Sequence, residues 1–482
     1  MPAEGNNATP PSPAIAPGSE TIDPRAAAHR AAVRHQGRAI DPRLANAVPG
    51  FDAPFFQAGL AGYSDAAMRI IARRHGCPLC ITEALLDRTL LAGGRGFVKA
   101  DLGELHDNVP GGVEDHPLVG QIMGSDPAEM AAAALKMVEQ GKRGERSYRR
   151  LAYAGALAPG APPVEVVHLR LPGGEQLGRL DPTEGLGDED DACGVEAADR
   201  EWAGALEELP PEDRDAASAL LDGPEPARPE PASPPAASFQ AIDVNLACPV
   251  KKISSKARGG HWLAEPDGAI EILKAVREAV PAGVPCSVKL RRSFDDTPEM
   301  VASFHRIFDA AYDLGYLWTT VHARTVVQKY IGPSRWTVLR DLVRAHPDRL
   351  IFGSGDVWSA ADIFRMIDYA GVAAVSVARG CIGNPWIFRQ ARQMLAGEAP
   401  TPPTLADQRS VLLEHFRLAL TVARRTRHPE DFVSKSMRKF GIKFAGHHPS
   451  PTELKAAMIQ VSSLAQWRQV VDRFYPTAQP GE

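Results

Sequence analysis

The segment "RLIFGSGDVWSAADIFRMIDYAGVAAVSVARG" (residues 349–380) contains two short apolar runs with an amphipathic stretch between them. The first run ends at Gly-Asp and the second at Arg-Gly, whereas the middle stretch has apolar residues three and four apart and ends at Gly371. Apolar runs of about four to eight residues bounded by turn residues are typical of buried strands, and the intervening spacing is that of a helix. The segment therefore predicts a strand–helix–strand unit with parallel strands.

The same alternation extends over most of the chain. Apolar runs that end in turn residues occupy 53–59, 78–83, 117–124, 239–249, 284–291, 316–325, 349–356 and 372–380. Helical spacing follows in 64–76, 126–141, 266–280, 297–315 and 359–371. Eight strands alternating with helices predict the α/β class, and more specifically a closed (β/α)8 TIM barrel over residues 49–397 rather than an open doubly wound sheet.

Three segments depart from this pattern. Residues 1–48 are rich in Ala, Pro and small polar residues, which predicts a disordered N-terminal arm. Residues 147–238 hold 19 acidic and 7 basic residues together with many prolines, which predicts an acidic, partly disordered insertion in the barrel. Residues 403–476 have helical spacing throughout, and the chain from 403 onward carries about +5. They predict a basic, all-helical C-terminal domain.

Composition excludes several classes of protein. The hydrophobic fraction is 44% and no run approaches the roughly 18 apolar residues of a membrane span. The first residues lack the basic start and apolar core of a secretory signal. We therefore expect a cytoplasmic protein, a monomer without membrane contact, whose six cysteines are reduced. Cys77 and Cys80 form a C-x-x-C, but a zinc site needs a second pair of ligands, and structural thiols without a metal are favoured.

The last two predicted strands end in loops suited to phosphate. Ser354-Gly355-Asp356 follows the seventh strand and Ala378-Arg379-Gly380 follows the eighth. Barrel enzymes place their sites at these strand ends, where glycine lets backbone N–H groups approach an anion and arginine binds it with two hydrogen bonds. The sequence predicts a phosphate site here, although small residues that merely turn the chain are the alternative.

Neighbouring strand ends carry cationic and amide side chains. Lys289 and Arg291 are two residues apart and so share a face, as do His322 and Arg324, and Gln121 lies on the third strand. A lysine in a barrel mouth is unfavourable unless it meets an anion. The group predicts a site for flavin mononucleotide (FMN), in which Lys289 stabilises negative charge on the reduced ring. A solvated strand end and a structural core histidine are the alternatives.

Cys248 follows the fourth predicted strand directly. A thiol with an ordinary pKa of about 8.5 is mostly protonated at neutral pH and can act as a general acid. The same residue could instead be a nucleophile or an inert core thiol. Lys251, Lys252 and Lys256 follow it and could lower its pKa.

These motifs occur in a characteristic order. Cys248 lies in Asn245-Leu246-Ala247-Cys248-Pro249-Val250-Lys251-Lys252, with Gly259-Gly260 behind it. The other stretches are "AGLAGYSDAAMR" (58–69), "QIMGSDPAEMAAAA" (121–134), "VKLR" (288–291), "HARTVVQKYIGPSRW" (322–336), "GSGDVWSAADIFRMID" (353–368) and "ARGCIGNPWIF" (378–388). Combined, they resemble the tRNA-dihydrouridine synthases from about residue 51 to 395, apart from the insertion, and more loosely in the helical segment.

The resemblance implies that FMN, reduced by NADPH, passes a hydride to C6 of a uridine in tRNA while Cys248 protonates C5. It implies that Asn245, Arg291 and Arg324 border the substrate, and that the helical domain binds tRNA. The cofactor contacts that it implies are Gly59, Leu60, Ala61, Gln121, Lys289, His322, Ser354, Gly355, Asp356, Ala378 and Arg379.

The sequence departs from the family at several of these positions. The family has Pro-Met at Gly59-Leu60 and Asn at Ser354. It has Gly at the positions of Ala247, Ala323 and Ala378. Each change adds or removes one small group near the expected flavin.

The basic C-terminal helices support RNA binding independently of the resemblance. Lys435, Arg438, Lys439 and Lys443 can neutralise phosphates, although a merely solvated helix face is the alternative. Two other functions stay open. A flavin barrel acting on a free pyrimidine, similar to dihydroorotate dehydrogenases, would not need this domain, and a non-catalytic RNA-binding barrel would not bind FMN.

Overall fold

The computed structural model describes residues 21–92, 113–142, 239–249, 259–422 and 429–476. The predicted insertion at 147–238 lies outside the described residues, so its predicted partial disorder stays a prediction.

The described residues contain nine strands in one parallel sheet. Eight of them close into a barrel because β1 pairs with both β2 and β9, and β2 pairs with β4. The short β3 pairs with the C-terminal end of β4 and was not predicted. The strands are β1 Phe55–Gln57, β2 Cys80–Ile81, β3 Leu85–Leu86, β4 Leu118–Met123, β5 Ala241–Leu246, β6 Cys286–Arg291, β7 Trp318–His322, β8 Leu350–Ser354 and β9 Ala374–Val377. The predicted (β/α)8 barrel and all eight of its predicted strands are confirmed.

Helices surround the barrel and follow most of its strands. They are α1 Pro24–Val33, α2 Pro42–Ala47, α3 Ala66–Arg74, α4 Asp87–Ala92, α5 Pro127–Lys142, α6 Pro266–Ala279, α7 Pro298–Asp313, α8 Trp336–Ala345, α9 Ala360–Ala370 and α10 Trp386–Leu395. Helix α9 shows how the sequence sets its own limits. Ser359 and Asp362 form a capping box at its start, and Gly371 ends it with φ of 74°.

One end of the barrel is filled with large apolar side chains. Trp318 stacks on Phe352 with ring centroids 5.4 Å apart, and Phe352 lies 5.5 Å from Phe56. Phe51 covers this group, with its ring 6.2 Å from that of Phe56. We call these four residues the closed end. All four are buried. The predicted polar site residues lie at the opposite end, at the C-terminal ends of the strands.

The predicted disordered arm is wrong for residues 21–48. Ala27, Ala28 and Ala31 of α1 are buried, and Arg34 donates to the carbonyl oxygen of Val372 at 2.7 Å. Alanine adds little to a hydrophobic pattern, yet it lets two helices approach closely, and α1 packs against α9 and α10. Residues 1–20 lie outside the described residues.

The C-terminal segment is helical, as predicted, with α11 Leu405–Val422, α12 Pro429–Phe444, α13 Pro451–Gln460 and α14 Leu464–Phe474. Phe416 packs on Trp467 inside it, with ring centroids 5.1 Å apart. Arg74 of α3 pairs with Glu414 of α11, which joins barrel and helical domain. Of the helices in the described part of the chain, none is long and apolar enough to cross a membrane.

Candidate active site

The strand register brings the predicted polar residues together at the C-terminal end of the barrel. Asn245 of β5 lies opposite Lys289 of β6. Arg291 of β6 lies opposite His322 of β7, which in turn lies opposite Ser354 of β8. Residues in register on adjacent strands are about 5 Å apart. We call this end of the barrel, lined by these side chains and Cys248, the mouth.

A buried hydrogen-bond network forms the floor of the mouth. Asp243 accepts from Gln121 Nε2 at 2.7 Å and from Ser287 Oγ at 2.6 Å. Asn245 Nδ2 donates to Gln121 Oε1 at 2.8 Å. Asp243 is not among the predicted site residues, although it lies two residues before Asn245 and so on the same face of the strand. Burial raises the pKa of the Asp243 carboxyl, which Ser287 and Gln121 counteract by their hydrogen bonds.

This network sets the direction of the Gln121 amide. Its nitrogen points to Asp243 and its oxygen accepts from Asn245, so one N–H and one oxygen lone pair are left for a ligand. Gly59 lies directly against it: a Cβ at Gly59 would be 3.1 Å from Gln121 Oε1 and 2.2 Å from the carbonyl oxygen of Thr82. The structure thus places Gly59 against Gln121, and in this backbone arrangement a Cβ at position 59 would clash with Thr82. Their contacts with a cofactor stay predictions.

Lys289 extends from β6 into the mouth and is half-buried. In the part of the chain that the structure describes, its ammonium has no hydrogen-bond or ion-pair partner. Burial lowers its pKa, Asp243 raises it from a distance, and the positive charge of Arg291 lowers it further. Such an ammonium is best satisfied by a ligand that carries an acceptor or a negative charge.

His322 is neutral at physiological pH. Burial lowers its pKa well below the usual range, and the positive charges of Arg291, Lys289, Arg324 and Arg379 lower it further. Its Nε2 lies 3.3 Å from Arg324 Nη1. Since a guanidinium can only donate, Nε2 accepts and the ring proton is on Nδ1.

Gly355, predicted at the phosphate loop, packs against this histidine. Its φ is 112°, and a Cβ at this position would be 2.8 Å from His322 Cδ2 and 2.3 Å from Ser334 Oγ. The loop after β8 therefore needs glycine both for its backbone conformation and for space. Ser354, which precedes it, is buried at the end of β8.

Arg291 holds two loops of the mouth in place. It is 1% exposed. Its Nε donates to the carbonyl oxygen of Ala247 at 2.9 Å, and its Nη1 donates to those of Thr325 and Lys329 at 2.8 and 2.7 Å. Burial lowers its pKa to about 10. It fastens the chain just before Cys248 to the loop after β7, and its predicted substrate contact stays a prediction.

Arg324 has internal partners too. Its Nη2 donates to both carboxylate oxygens of Asp356, at 2.7 and 2.8 Å, and to the carbonyl oxygen of Gly332 at 2.6 Å. Asp356 also accepts from the backbone N–H of Ser334 at 2.7 Å. The carboxylate that was predicted to bind the cofactor therefore joins the loops after β7 and β8, and a ligand contact of either residue stays a prediction.

Arg379 lies at the rim between two aromatic rings that the sequence analysis did not single out. Its guanidinium carbon is 5.1 Å from the centroid of Tyr330 and 4.8 Å from that of Trp358. Tyr330 also faces Arg291 at 5.4 Å. Tyr330 is 53% exposed and Trp358 39%. Tyr330 follows β7 and Trp358 follows β8. Aromatic residues in two adjacent loops at the C-terminal end of the barrel could have indicated this part of the site from the sequence.

Cys248 is partly buried in the loop that follows β5. Its carbonyl oxygen accepts from the backbone N–H of Gly260 at 2.8 Å, which ties the loop to the start of the 3-10 turn Gly259–Ala264. Its thiol acts electrostatically on the pKa of both Lys289 and Arg291. Thiol and lysine therefore share the mouth, whereas Lys251, Lys252 and Lys256 lie outside the described residues.

The four predicted basic residues of α12 differ in exposure and in their contacts with the protein. Lys435 and Lys443 are exposed. Arg438 donates to the carbonyl oxygens of Lys435 at 3.1 Å and Ile459 at 3.2 Å. Lys439 faces the barrel and donates to the carbonyl oxygen of Gly62. RNA binding by these residues stays a prediction, and Lys439 has a partner within the protein.

The C-x-x-C pair lies away from the mouth. Cys77 and Cys80 are buried with their sulfurs 3.9 Å apart, and Cys77 Sγ donates to the carbonyl oxygen of Leu79 at 3.1 Å. Within the described ranges, no group of three or more His, Cys, Asp or Glu side chains is placed to hold a metal ion.

The mouth fits an anionic, hydrogen-bonding cofactor such as FMN. Four cationic side chains lower the pKa of His322, and the ammonium of Lys289 has no partner among the described residues. Gln121 keeps one donor and one acceptor next to Gly59, where no side chain intervenes. A phosphate would balance the positive charge and a polar ring edge would meet the amide.

Comparison with known proteins supplies the family. The family model described as "Dihydrouridine synthase (Dus)" matches residues 231–474, about half of the chain. A "Probable tRNA-dihydrouridine synthase" of Treponema pallidum (strain Nichols) is 33% identical over 237 residues, which cover 48% of this chain and 67% of that protein. A protein of the same name from Mycobacterium leprae (strain TN) is 28% identical over 235 residues, or 48% of this chain and 59% of that protein. The aligned segments thus span about two thirds or less of these curated relatives.

Among solved structures, the old yellow enzyme homologue from Zymomonas mobilis aligns with a TM-score of 0.34 and 16% identity. The alignment covers 74% of this chain and 92% of that one.

Proposed function

Because this chain belongs to the dihydrouridine synthase family, we propose that it reduces the C5–C6 double bond of specific uridines in tRNA, with FMN as cofactor and NADPH as reductant. The family also makes it an oxidoreductase of the flavin-dependent class, as predicted from the sequence. A cytoplasmic location, expected from the sequence, belongs to the same proposal.

One observation carries the proposal: Arg291 binds the carbonyl oxygen of Ala247 at 2.9 Å and so holds the chain next to Cys248 at the end of β6, the strand that carries Lys289. Cys248 is partly buried and so can meet a ligand in the mouth, whereas Cys286 at the start of β6 is buried.

The residues that would hold FMN follow from the contacts in the mouth. Lys289 would meet the electron-rich edge of the ring, and Gln121 would offer its remaining N–H and lone pair. The loops of Gly355 and Arg379 would hold the phosphate, since both lie against His322 or its cationic neighbours. When bound and reduced, FMN supplies the hydride for C6 of the uridine.

Cys248 supplies the proton for C5. The S–H bond breaks, a C–H bond forms at C5, and the thiol becomes a thiolate. Water or a solvent-borne acid then returns a proton to the sulfur. Arg291 fixes the backbone at Ala247, one residue before the sulfur.

The helical domain would bind the tRNA. Lys435 and Lys443 are exposed cations on α12, and the chain from residue 403 is basic although the whole protein has a formal net charge of −5. Contacts with phosphates supply most non-specific affinity for nucleic acids, and a target base must leave its stack to reach a concave site.

The test compares substrates. Purified protein incubated with FMN and NADPH is given an unmodified tRNA transcript, free uridine or orotate, and the products are analysed by nucleoside mass spectrometry. We expect a two-hydrogen mass gain in tRNA uridine and none in the free pyrimidines. Reduction of a free pyrimidine alone would support the dihydroorotate dehydrogenase-like function. Protein that stays colourless with FMN would support a non-catalytic RNA-binding barrel.

A further inference from the structure

The loop from Gly59 to Ser64, between β1 and α3, is a compact turn that we call the edge loop. Its own backbone holds it together only in part: the N–H groups of Tyr63 and Ser64 donate to the carbonyl oxygen of Leu60 at 2.9 and 3.0 Å. The Leu60 N–H donates to Ser64 Oγ at 2.8 Å. These contacts close the turn but leave its outer residue, Gly62, to be held from outside.

Gly62 is held by two different domains. Its N–H donates to Glu83 Oε2 at 2.7 Å, and Glu83 follows β2 of the barrel. Its carbonyl oxygen accepts from Lys439 Nζ, which belongs to α12 of the helical domain. Both polar groups of this exposed glycine are therefore bound, one by an acidic side chain of the barrel and the other by the ammonium of Lys439. A hydrogen bond to a charged group is roughly twice as strong as a neutral one.

The ammonium of Lys439 is fixed in this position by its surroundings. It lies 5.1 Å from the ring centroid of Tyr63 in the edge loop and 5.1 Å from that of Phe440 in α12. The two rings pack edge to face with centroids 5.7 Å apart. Lys439 also attracts the carboxylate of Glu83. Since two rings, a carbonyl and a carboxylate surround it, Lys439 is poorly placed to reach out to RNA.

We propose that Lys439 is a positioning residue through which the helical domain fixes the edge loop, and with it Gly59 and Leu60, at the mouth of the barrel. The proposal rests on the proposed function for what the loop contacts, namely the flavin and the target base. It makes the helical domain a part of the catalytic apparatus in addition to its RNA-binding role. Lys435, one turn earlier and exposed, is the matched residue, and its side chain has no hydrogen bond or ion pair with the described part of the barrel.

The experiment compares Lys439→Met, Lys439→Arg and Lys435→Met in the full-length protein. Hydrogen exchange of the edge-loop amides is measured without substrate, followed by the dissociation constant of FMN and the KM and kcat with tRNA. In Lys439→Met we expect amide exchange in the edge loop to be about tenfold faster. The loss of one hydrogen bond to a charged group costs a free energy that corresponds to about a tenfold change in an equilibrium constant. We also expect weaker FMN binding and a lower kcat, with recovery in Lys439→Arg.

Lys435→Met should leave edge-loop exchange unchanged and raise only the KM for tRNA. The proposal is overturned if Lys439→Met has wild-type exchange and shares that KM effect, because Lys439 would then be an RNA contact. Should Lys439→Met fail to fold, Lys439→Ala, which favours the helix, replaces it. If the protein does not reduce tRNA uridines, the variants will show no differences in FMN affinity or in KM and kcat with tRNA. The hydrogen-exchange comparison still tests the interdomain contact in that case.

Discussion

The two ends of the barrel are built from the same strands but carry different side chains: the closed end is apolar, whereas the mouth is polar and positively charged. β7 begins with Trp318, which stacks on Phe352 at the closed end, and finishes with His322 at the mouth, where burial and then four nearby cations lower its pKa well below the usual range. β6 begins with the buried Cys286, and the partly buried Cys248 lies across from its far end. The closed end stabilises the fold by apolar packing. The mouth can therefore hold several positive charges, including the ammonium of Lys289, which has no partner among the described residues, although these charges would destabilise an isolated site.

The largest expected effect concerns the two cysteines. Cys248→Ala should lower the rate of dihydrouridine formation by about 10²-fold or more, since a general acid contributes about that much. Bound FMN, measured by visible absorbance, should be retained. Cys286→Ala is the control, because burial raises the pKa of Cys286 to about 12 and it lies away from the mouth. Equal kcat values for wild type and Cys248→Ala would remove Cys248 from the reaction.

Trp318→Ala should destabilise the protein by about 3–5 kcal/mol, the usual range for removing a buried aromatic side chain. Denaturant unfolding measures this. Trp318→Phe keeps most of the packing with Phe352, and the indole nitrogen of Trp318 has no hydrogen-bond partner within the described structure, so this control should cost much less. If both variants unfold at the same denaturant concentration, the closed end is not the source of stability that we infer.

Lys289→Met should weaken FMN binding by about tenfold through loss of one charge-assisted contact. Its thermal midpoint should not fall. Burial lowers the pKa of Lys289, which means that the charged form of this lysine destabilises the folded state. Flavin fluorescence titration and a melting curve give the two values. A variant with wild-type FMN affinity and a lower midpoint would make Lys289 a structural residue of the barrel.

The smallest expected effect is the pH dependence of Glu83. Burial, and to a lesser extent Asp65, raises its pKa to about 7 against the opposing effects of the Gly62 N–H, Lys439 and Arg69. Folding therefore takes up a proton between about pH 4.5 and 7, and the free energy of unfolding falls as the pH rises through this window.

Glu83→Gln should remove that loss. The stability of the variant relative to wild type should increase from about pH 5 to 7.5 by on the order of 1 kcal/mol. Chemical denaturation at several pH values measures this difference, and Glu453→Gln, at an exposed carboxylate of α13, is the control. A difference that does not change with pH would show that Glu83 is ionised throughout the window.

Much of the mouth could be predicted from the residues alone because it depends on local rules. Side chains two apart on a strand share a face, and parallel strands end at the same edge of a barrel. From these two facts follow the neighbourhood of Lys289, His322 and Ser354, and the position of Cys248 beside them. Asp243 follows the same rule and could have been included.

The remaining features depend on which segments meet after folding. No spacing in the sequence indicates that Arg291 holds the backbone at Ala247, or that Arg324 pairs with Asp356 rather than with a ligand. A guanidinium has five donors and satisfies whichever acceptors lie nearest, and those belong to loops distant in the chain.

The N-terminal helices and Lys439 are similar cases. Alanines carry a weak pattern, so the burial of Ala27 and Ala28 becomes visible only against the helices that cover them. Lys439 belongs to a basic stretch that predicts an RNA-binding face, yet it binds Gly62 of the barrel. Sequence by itself determined the alternation of strands and helices and the chemical character of the strand ends, because both are set by residues a few positions apart. Tertiary structure alone decided which charges point at a ligand and which at the protein, because that choice depends on the nearest acceptor in space.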